Sequence, residues 1–237
     1  MIPKVIHYCW FGGAPLPPLA LKCIESWQRF LPDYEIRRWD ETNFDVNMIP
    51  YTAEAYRLGK YAFVSDYARI WILNRHGGIY MDTDVEVIAP LSAVLARGPY
   101  MGCEAGSPGD TSLRVNSGVG MAFTAHHPLL ERIEAAYAGR HYCSALGKTG
   151  QTVVEIITEL MAPDISVPAA DGTMQCQGVT VYPPEWFCPI NFFTGEKHIT
   201  GNTLTIHHYA ASWGEENHTF MAKLCRRLRN IRARFIK

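Results

Sequence analysis

The stretch Gly77-Gly78-Ile79-Tyr80-Met81-Asp82-Thr83-Asp84 places two aspartates two residues apart, directly after a glycine pair and a short apolar run. In an extended backbone, residues i and i+2 point to the same side, so Asp82 and Asp84 are expected to converge at the end of a strand. Two close carboxylates repel each other unless a cation lies between them or one keeps its proton. The oxygen-only pair therefore predicts a site for Mg²⁺ or Mn²⁺, whereas an isolated Asp-x-Asp is also typical of a solvated turn.

The residues before the glycine pair favour the metal site over the turn. Apolar side chains at positions 63, 64, 67, 70, 71 and 73 fit a helix with one buried stripe. Asp66 and Arg69 are three residues apart and share a helical face. Gly77 and Gly78 then end the helix, because glycine adopts the left-handed cap conformation at little steric cost. We expect an Asp66–Arg69 couple close to the acidic pair, although it could also be a surface ion pair contributing roughly a few tenths of a kcal/mol.

Strand-like and helix-like segments alternate along the chain. Strands are predicted at residues 5–8, 34–39, 79–81, 100–103, 118–123, 179–182 and 203–208, and helices at 19–30, 52–58, 63–75, 91–95, 128–137 and 151–161. This alternation predicts an α/β layer sandwich with a mostly parallel central sheet. Ligands of such sheets bind beyond the carboxyl ends of the strands, where residues 8–13 and 82–84 are both expected to lie.

Composition favours one compact domain. The chain has 237 residues, of which 48% are hydrophobic, and a formal net charge of −1. A nearly neutral chain has no global field to attract nucleic acid, so no nucleic-acid partner is expected. The seven scattered cysteines show no Cys-x-x-Cys spacing, which favours reduced thiols in a cytoplasm over disulfides or a zinc site. Neither a signal peptide nor an apolar run long enough to cross a bilayer is evident.

Three motifs together resemble a known family. Ser-Asp66-x-x-Arg69 followed by Gly-Gly-x-Tyr80-x-Asp82-x-Asp84 resembles the signature of DXD-motif sugar transferases. That family is glycosyltransferase family 32-like, including capsular-polysaccharide and yeast outer-chain mannosyltransferase types, and more distantly the clostridial glucosylating toxins. Residues 2–13 and 207–213 are similar to the family's opening and closing segments, in the same order. The resemblance implies a GT-A-type nucleotide-binding α/β/α sandwich, which we assign to residues 1–216, and the pattern of residues 217–237 predicts a separate helix.

The resemblance also implies an activity. It implies a metal-dependent glycosyltransferase that moves a hexose or N-acetylhexosamine from a nucleotide sugar to a hydroxyl of a glycan or lipid-linked glycan, with retention, in surface polysaccharide or glycolipid synthesis. The expected cofactor is Mn²⁺ or Mg²⁺, which offsets charge on the departing diphosphate. Trp10 and the toxin-like opening favour a UDP-sugar, while the mannosyl relatives keep a GDP-sugar open.

Individual residues carry over from the family motifs. Asp82, Asp84, Arg69 and Asp66 are the expected catalytic residues. Asp84 is the expected direct metal ligand, and Asp82 either reaches the metal through water or holds ribose or sugar hydroxyls. The third ligand is expected from His207 or His208, with His208 preferred. The expected contacts to the nucleotide sugar are His7, Trp10, Gly12, Asp66, Arg69, Tyr80, Asp82, Asn116, Ser212 and Trp213, and Trp10 is expected to stack on the base. Glu104, Asp110 and Glu185 stay open as acids or bases on the acceptor side.

The last fifteen residues have a pattern of their own. Residues 223–237 contain seven basic side chains and no acid, and apolar residues recur there at three- and four-residue steps. A basic amphipathic helix is typical of peripheral contact with an anionic membrane, here the inner face of the cell membrane. The alternative is a packed terminal helix with a solvated basic face.

Two other functions fit part of the pattern. Asp82-Thr83-Asp84-Val85 also resembles the nucleophile motif of haloacid-dehalogenase-like phosphatases, in which Asp82 would attack phosphorus. That class usually carries its motif near the N-terminus after a long apolar strand, unlike this chain. The second alternative is a non-catalytic, metal-dependent carbohydrate-binding domain.

Overall fold

The computed structural model describes residues 1–142 and 151–210. Its strands are β1 (Val5–Cys9), β2 (Glu35–Trp39), β3 (Gly78–Tyr80), β4 (Val85–Val87), β5 (Tyr100–Cys103), β6 (Val115–Phe123), β7 (Met174–Cys176), β8 (Val179–Tyr182) and β9 (Thr205–His207). Its helices are α1 (Pro18–Phe30), α2 (Pro50–Arg57), α3 (Tyr61–His76), α4 (Ser92–Ala96), α5 (Pro128–Tyr137), α6 (Val153–Met161) and α7 (Pro184–Phe187), with a 3₁₀ turn at Ala162–Asp164.

Within the described residues, seven strands form the central sheet, in the order β2-β1-β3-β6-β5-β8-β7. Strand β1 pairs in parallel with β2 and β3, and β5 pairs in parallel with β8. Strand β6 is antiparallel to β3 and β5, and β7 is antiparallel to β8. All but β6 and β7 therefore run in one direction, which confirms the expected mostly parallel sheet of an α/β fold. The short strands β4 and β9 form a separate antiparallel pair.

Side chains that alternate along the strands contribute to two hydrophobic cores, one on each face of the sheet. On one face, Tyr80 and Met121 pack with apolar residues of α2, α3, α5 and α6. On the other face, Ile6 and Ile79 pack with residues of α1, α7 and the β4–β9 pair. Helix α1 lies against β4, so this pair is held over the sheet by buried side chains such as Trp27. The layers confirm the expected α/β/α sandwich.

The glycine pair ends α3 as its sequence predicts. Gly77 has a φ of +63° and its N–H donates to the carbonyl of Leu73 at 2.9 Å. Gly78 has a φ of +103°, and a Cβ there would lie 2.6 Å from the carbonyl oxygen of Val5. Only glycine fits this close approach to β1. Strand β3 therefore begins at Gly78, one residue earlier than predicted, and delivers the acidic pair directly after it.

Some expectations differ from the structure or fall outside it. Strands β4 and β7 were not predicted; each has only three residues, although the equally short β3 and β9 were recognised. Residues 211–216 and the expected basic helix at 217–237 lie outside the described residues, so the predicted domain boundary stays a prediction. The cysteines among the described residues are free thiols and all are buried. Within the described ranges, no helix has the length and apolar character needed to cross a bilayer.

Candidate functional site

A cavity of about 720 Å³ opens at the carboxyl edge of the sheet. Its walls include Trp10 after β1, Arg69 of α3, and His207 of β9, with Asp82 and Asp84 between them. The two segments predicted to meet at this edge do so because β1 and β3 are adjacent and parallel. The cavity therefore collects both aspartates of the motif, Arg69 and one of the two candidate histidines.

Asp82 is held by a turn and by three neighbours. Its carbonyl accepts the N–H of Val85 at 3.0 Å, so the segment turns here instead of staying extended as expected. Its own N–H donates to the carbonyl of Gly118 at 3.0 Å. Oδ1 accepts the hydroxyl of Tyr80 at 3.0 Å and lies 3.1 Å from Nη2 of Arg69. The Asp82 carboxylate is thus fixed in one orientation at the cavity wall.

Arg69 is a buried cation shared by two carboxylates. Nη2 lies 3.0 Å from Oδ1 of Asp66 and 3.1 Å from Oδ1 of Asp82, while Nε donates to the carbonyl of Ser65 at 3.0 Å. The guanidinium carbon lies 4.9 Å from the centre of the Tyr80 ring. Burial raises the pKa of Asp66 to about 6, against the opposing charge of Arg69. Burial likewise raises the pKa of Asp82, and Arg69 again opposes that rise.

Asp84 pairs with His207 across the small β4–β9 sheet. The register that places Val85 opposite His207 brings Nε2 of His207 to 3.2 Å from Oδ1 of Asp84. Oδ2 of Asp84 accepts the backbone N–H of Ala210 at 2.8 Å. Burial alone raises the pKa of Asp84, but the charge and hydrogen bond of His207 and the N–H of Ala210 outweigh it and hold that pKa at about 2. Asp84 is therefore ionised at neutral pH.

Asp82, Asp84 and His207 could hold a metal ion together. One ligand atom from each of the three side chains lies within 4.8 Å of the other two. Two carboxylate oxygens and one imidazole nitrogen form a donor set that suits Mn²⁺ or Mg²⁺. Room for this set depends on Gly118, because a Cβ there would overlap Oδ2 of Asp82. The residues present therefore fit the divalent cation that the sequence led us to expect.

His208, the preferred third ligand, lies elsewhere. Its ring Nε2 is 2.8 Å from Oε2 of Glu86, whose other oxygen is 2.9 Å from Nζ of Lys22. Neighbouring residues of an extended segment point to opposite sides, so only one of the two histidines can face the aspartates. The structure places His207 there, and the preference for His208 is corrected. The N–H of His208 nevertheless donates to the carbonyl of Asp84 at 3.0 Å.

Trp10 lies in the cavity wall, whereas Gly12 packs against the wall residue Tyr61. Trp10 lines the wall, and its indole Nε1 donates to the carbonyl of Ala14 at 2.6 Å. Gly12 has a φ of +89° and its N–H donates to Oε1 of Glu41 at 2.5 Å. A Cβ on Gly12 would overlap the ring of Tyr61, another wall residue. Close packing with Tyr61 is therefore the visible reason for this glycine.

His7 does not reach the cavity. It is fully buried; Nδ1 accepts from the indole of Trp39 and Nε2 donates to the carbonyl of Gly77, each at 3.0 Å. Burial lowers the pKa of His7 to about 4, so the ring is neutral and both nitrogens are used. His7 lies two residues before the wall residue Cys9, about 7 Å farther from the carboxyl edge. The expected contact of His7 with the nucleotide sugar is corrected to a structural role.

Tyr80 and Asn116 support the wall from behind. Both are buried, and the Tyr80 hydroxyl is used by Asp82. Asn116 donates from Nδ2 to Oε2 of Glu104 at 2.7 Å and accepts the N–H of Gly118 at its Oδ1, also at 2.7 Å. These contacts place both residues one layer behind the cavity. Ser212 and Trp213, the remaining expected contacts, lie outside the described residues.

The part of the cavity wall around Glu104 contains residues that the sequence left open or missed. Glu104 lines it, whereas Asp110 and Glu185 do not. Arg114, Phe192 and Phe193 also line this part and carried no recognisable signal, while Tyr209 lines it and lay in the closing motif without being singled out. A neighbouring phenylalanine pair usually reads as core, and only the structure shows that this one is exposed.

Comparisons with known proteins agree with the motif. Residues 17–100 match the family described as glycosyltransferase sugar-binding region containing DXD motif. The chain is 35% identical over 94 residues to an uncharacterized glycosyltransferase of Acanthamoeba polyphaga mimivirus, covering 36% of each protein. It is 27% identical over 135 residues to lactosylceramide 4-alpha-galactosyltransferase of Mus musculus, covering 57% of this chain and 34% of that protein. The chain thus spans about a third of the length of these curated relatives.

Two solved structures share the fold. A glycosyltransferase involved in glycosylation of the major capsid of PBCV-1 aligns with a TM-score of 0.52 and 14% identity, covering 99% of this chain and 100% of that one. The PaToxG glycosyltransferase aligns with a TM-score of 0.51 and 17% identity, covering 68% and 69%. At such identities the likeness shows the fold alone, and it confirms the expected GT-A-type sandwich. The match over residues 17–100 includes Asp82 and Asp84, which are the DXD pair of this chain.

Proposed function

We propose that this protein is a metal-dependent glycosyltransferase that moves a hexose or N-acetylhexosamine from a nucleotide sugar to a glycan hydroxyl. One observation carries the proposal: Asp82, Asp84 and His207 converge within 4.8 Å at the wall of a large cavity. A cavity of about 720 Å³ has the size that small-molecule sites commonly have. Because the chain covers only part of its relatives, the activity rests on this site and not on their names.

The chain's own residues would bind and position the reacting groups. Mn²⁺ or Mg²⁺, when bound by Asp82, Asp84 and His207, supplies positive charge that offsets the charge growing on a leaving diphosphate. Arg69 holds Asp82 in a fixed orientation, so no side chain has to reorganise as that charge develops. Asp66 shares the Arg69 guanidinium, which lines the cavity and is within reach of a bound donor.

The donor is a nucleotide sugar with its base beside Trp10 in the cavity. The half-buried indole of Trp10 offers a flat face for stacking, and its N–H is already bonded to Ala14, which fixes the ring. Trp10 has the position in the opening motif at which the clostridial toxins carry their base-stacking aromatic residue. For this reason a UDP-sugar is favoured over a GDP-sugar.

The acceptor is a glycan or lipid-linked glycan, and the sugar is transferred with retention. The name of the mouse relative supports a galactosyl group, an α linkage and a glycolipid acceptor. Surface polysaccharide or glycolipid synthesis is the corresponding role, at the cytoplasmic face of a membrane. Peripheral contact with anionic lipid through residues 217–237 belongs to this proposal, and co-sedimentation with anionic liposomes that fades with salt would test it.

Hydrolysis of a panel of UDP- and GDP-sugars, with Mn²⁺, with Mg²⁺ and with EDTA, tests the activity. The wild type should release the nucleotide from at least one donor, and EDTA should abolish the release. Asp84→Asn should lose this hydrolysis, whereas the exposed carboxylate control Asp110→Asn should retain it. Release that persists in EDTA, or no release from any donor, would contradict the proposal. A phosphorylated Asp82 after incubation with a phosphoester would favour the phosphatase alternative.

A further inference from the structure

The part of the cavity beside the loop after β5, which β3 and β6 separate from Trp10 after β1, has an exposed aromatic rim. Phe192 is 56% exposed and Phe193 is 39% exposed, although both are large apolar side chains, and both line the cavity. An apolar patch at the mouth of a polar cavity is typical of a ligand-binding surface. These rings are therefore candidates for contact with whatever enters beside the metal ligands.

The turn that carries the two phenylalanines is fixed by hydrogen bonds, and its geometry leaves both rings exposed. Asn191 accepts the N–H groups of Phe193 and Thr194 at its Oδ1, at 2.8 and 3.1 Å. Its Nδ2 donates to the carbonyl of Gly106 at 3.1 Å, which ties the turn to the loop after β5. A binding surface fixed before its ligand arrives loses less conformational entropy when it binds.

Aromatic rings continue from this rim to the metal ligands. The ring centres of Phe193 and Phe192 are 5.4 Å apart, those of Phe192 and Tyr209 are 5.2 Å apart, and those of Tyr209 and His207 are 4.2 Å apart. Tyr209 has a φ of +50°, which is uncommon for a bulky residue and costs backbone strain. The surrounding structure holds Tyr209 in this conformation, with its ring between those of Phe192 and His207.

Polar groups lie beside the rings. The Tyr209 hydroxyl is 3.5 Å from Oε2 of Glu104, whose Oε1 pairs with Nη2 of Arg114 at 2.8 Å. Both charged side chains line the cavity. A pyranose combines a C–H face, which packs on aromatic rings, with hydroxyls that need charged or polar partners. A free alkyl chain would use the rings but would bring no polar group to the carboxylate and guanidinium beside them.

We propose that Phe192, Phe193 and Tyr209, here called the aromatic shelf, bind the acceptor sugar, with Glu104 and Arg114 contacting its hydroxyls. This inference rests on the proposed function and names the acceptor side of the same cavity. A sugar on the aromatic shelf lies between the solvent and His207, so its innermost hydroxyl points toward the metal ligands. The part of the cavity beside Trp10 is left for the nucleotide.

Saturation-transfer NMR measures this binding without requiring turnover. The probes are the methyl glycosides of glucose, galactose, mannose and N-acetylglucosamine, with octyl glucoside below its micelle concentration, in Mg²⁺ and UDP. We expect the wild type to transfer saturation to ring C–H protons of at least one glycoside. Phe192→Ala should weaken that signal about fivefold or more, as for loss of a binding anchor. Phe192→Tyr should keep it, and so should Ile199→Ala, which removes an exposed apolar side chain outside the cavity.

Three results would overturn the aromatic shelf as an acceptor-sugar site. One is the absence of saturation transfer to any glycoside in the wild type. Another is an equal signal in the wild type and Phe192→Ala. The third is saturation confined to the octyl chain, which would assign the rings to a lipid tail. Donor hydrolysis is read separately, so a protein that binds glycosides but hydrolyses no nucleotide sugar would contradict the activity and still support the shelf.

Discussion

The backbone of Gly118 lies against the carboxylate of Asp82 so closely that a methyl group on Gly118 would overlap Oδ2. The same glycine accepts the Asp82 N–H at its carbonyl and donates its own N–H to Asn116. Its φ lies outside the left-handed region, so space and not backbone conformation requires glycine here. The middle of β6 therefore sets the position of the first aspartate of the motif.

Replacement of Gly118 should impair activity without unfolding the protein. In Gly118→Ala the added methyl group displaces the Asp82 carboxylate from the metal site, and a shift of this kind can lower the rate about 100-fold. Metal-dependent hydrolysis of the nucleotide sugar measures the loss, and circular dichroism checks the fold. Gly201→Ala is the matched control, because a Cβ there meets no atom within 4 Å. Full activity in Gly118→Ala would contradict the tight fit.

Loss of the Arg69 charge should destabilise the fold. In Arg69→Met two largely buried carboxylates, Asp66 and Asp82, lose their shared cation, so we expect the free energy of unfolding to fall by about 3–5 kcal/mol. Adding Asp66→Asn should recover part of that loss, because one buried charge is removed. Arg75→Met, which breaks a more exposed pair with Glu134, should cost about 1 kcal/mol or less. Urea unfolding compares the wild type, Asp66→Asn, Arg69→Met, the double variant and Arg75→Met, and strict additivity of the two changes in the double variant would disprove the coupling.

The two adjacent histidines should differ in metal affinity. His207→Ala removes a ring nitrogen that lies beside both aspartates, so Mn²⁺ affinity should fall at least about tenfold. His208→Ala removes only the contact with Glu86 and should change Mn²⁺ affinity little. Calorimetric titration with Mn²⁺ in the presence of UDP compares the two variants. A larger loss in His208→Ala would restore the original preference for that residue.

His7 should make stability depend on pH. Burial holds the pKa of folded His7 at about 4, below its ordinary value of 6.5, so the unfolded chain binds the extra proton between these values. Stability is thus full above about pH 6.5 and falls as the pH drops towards 4, by up to about 3 kcal/mol. Urea unfolding at several pH values should show this fall in the wild type and a smaller one in His7→Gln. Equal pH dependence in the two proteins would contradict the assignment.

Local spacing was enough to predict one half of the site. Asp66, Arg69 and the acidic pair lie within one helix–turn–strand unit, and each contact follows from helical periodicity and a glycine cap. The layer architecture was predictable for the same reason, since most of its strands and helices carry their own pattern. The antiparallel direction of β6 was not, because strand direction depends on connections and not on residue alternation.

The other half depends on distant pairing. Which histidine faces Asp84 is decided by the register of β4 on β9, and β4 was not recognised in the sequence. His7 belongs to the same N-terminal motif as Trp10, but it lies earlier on β1 and is therefore buried behind the cavity wall. The exposure of Phe192 and Phe193 follows from the Asn191 turn. Two adjacent phenylalanines in a sequence do not show whether they lie at the mouth of a cavity or in the hydrophobic core.

The most direct test is anomalous scattering at the manganese edge from crystals grown with Mn²⁺ and UDP. The account predicts a manganese peak at coordination distance from Asp84, with Asp82 and His207 as its other protein neighbours. In Asp84→Asn the peak should be weaker or absent. Bound UDP with no manganese at these three side chains would contradict it.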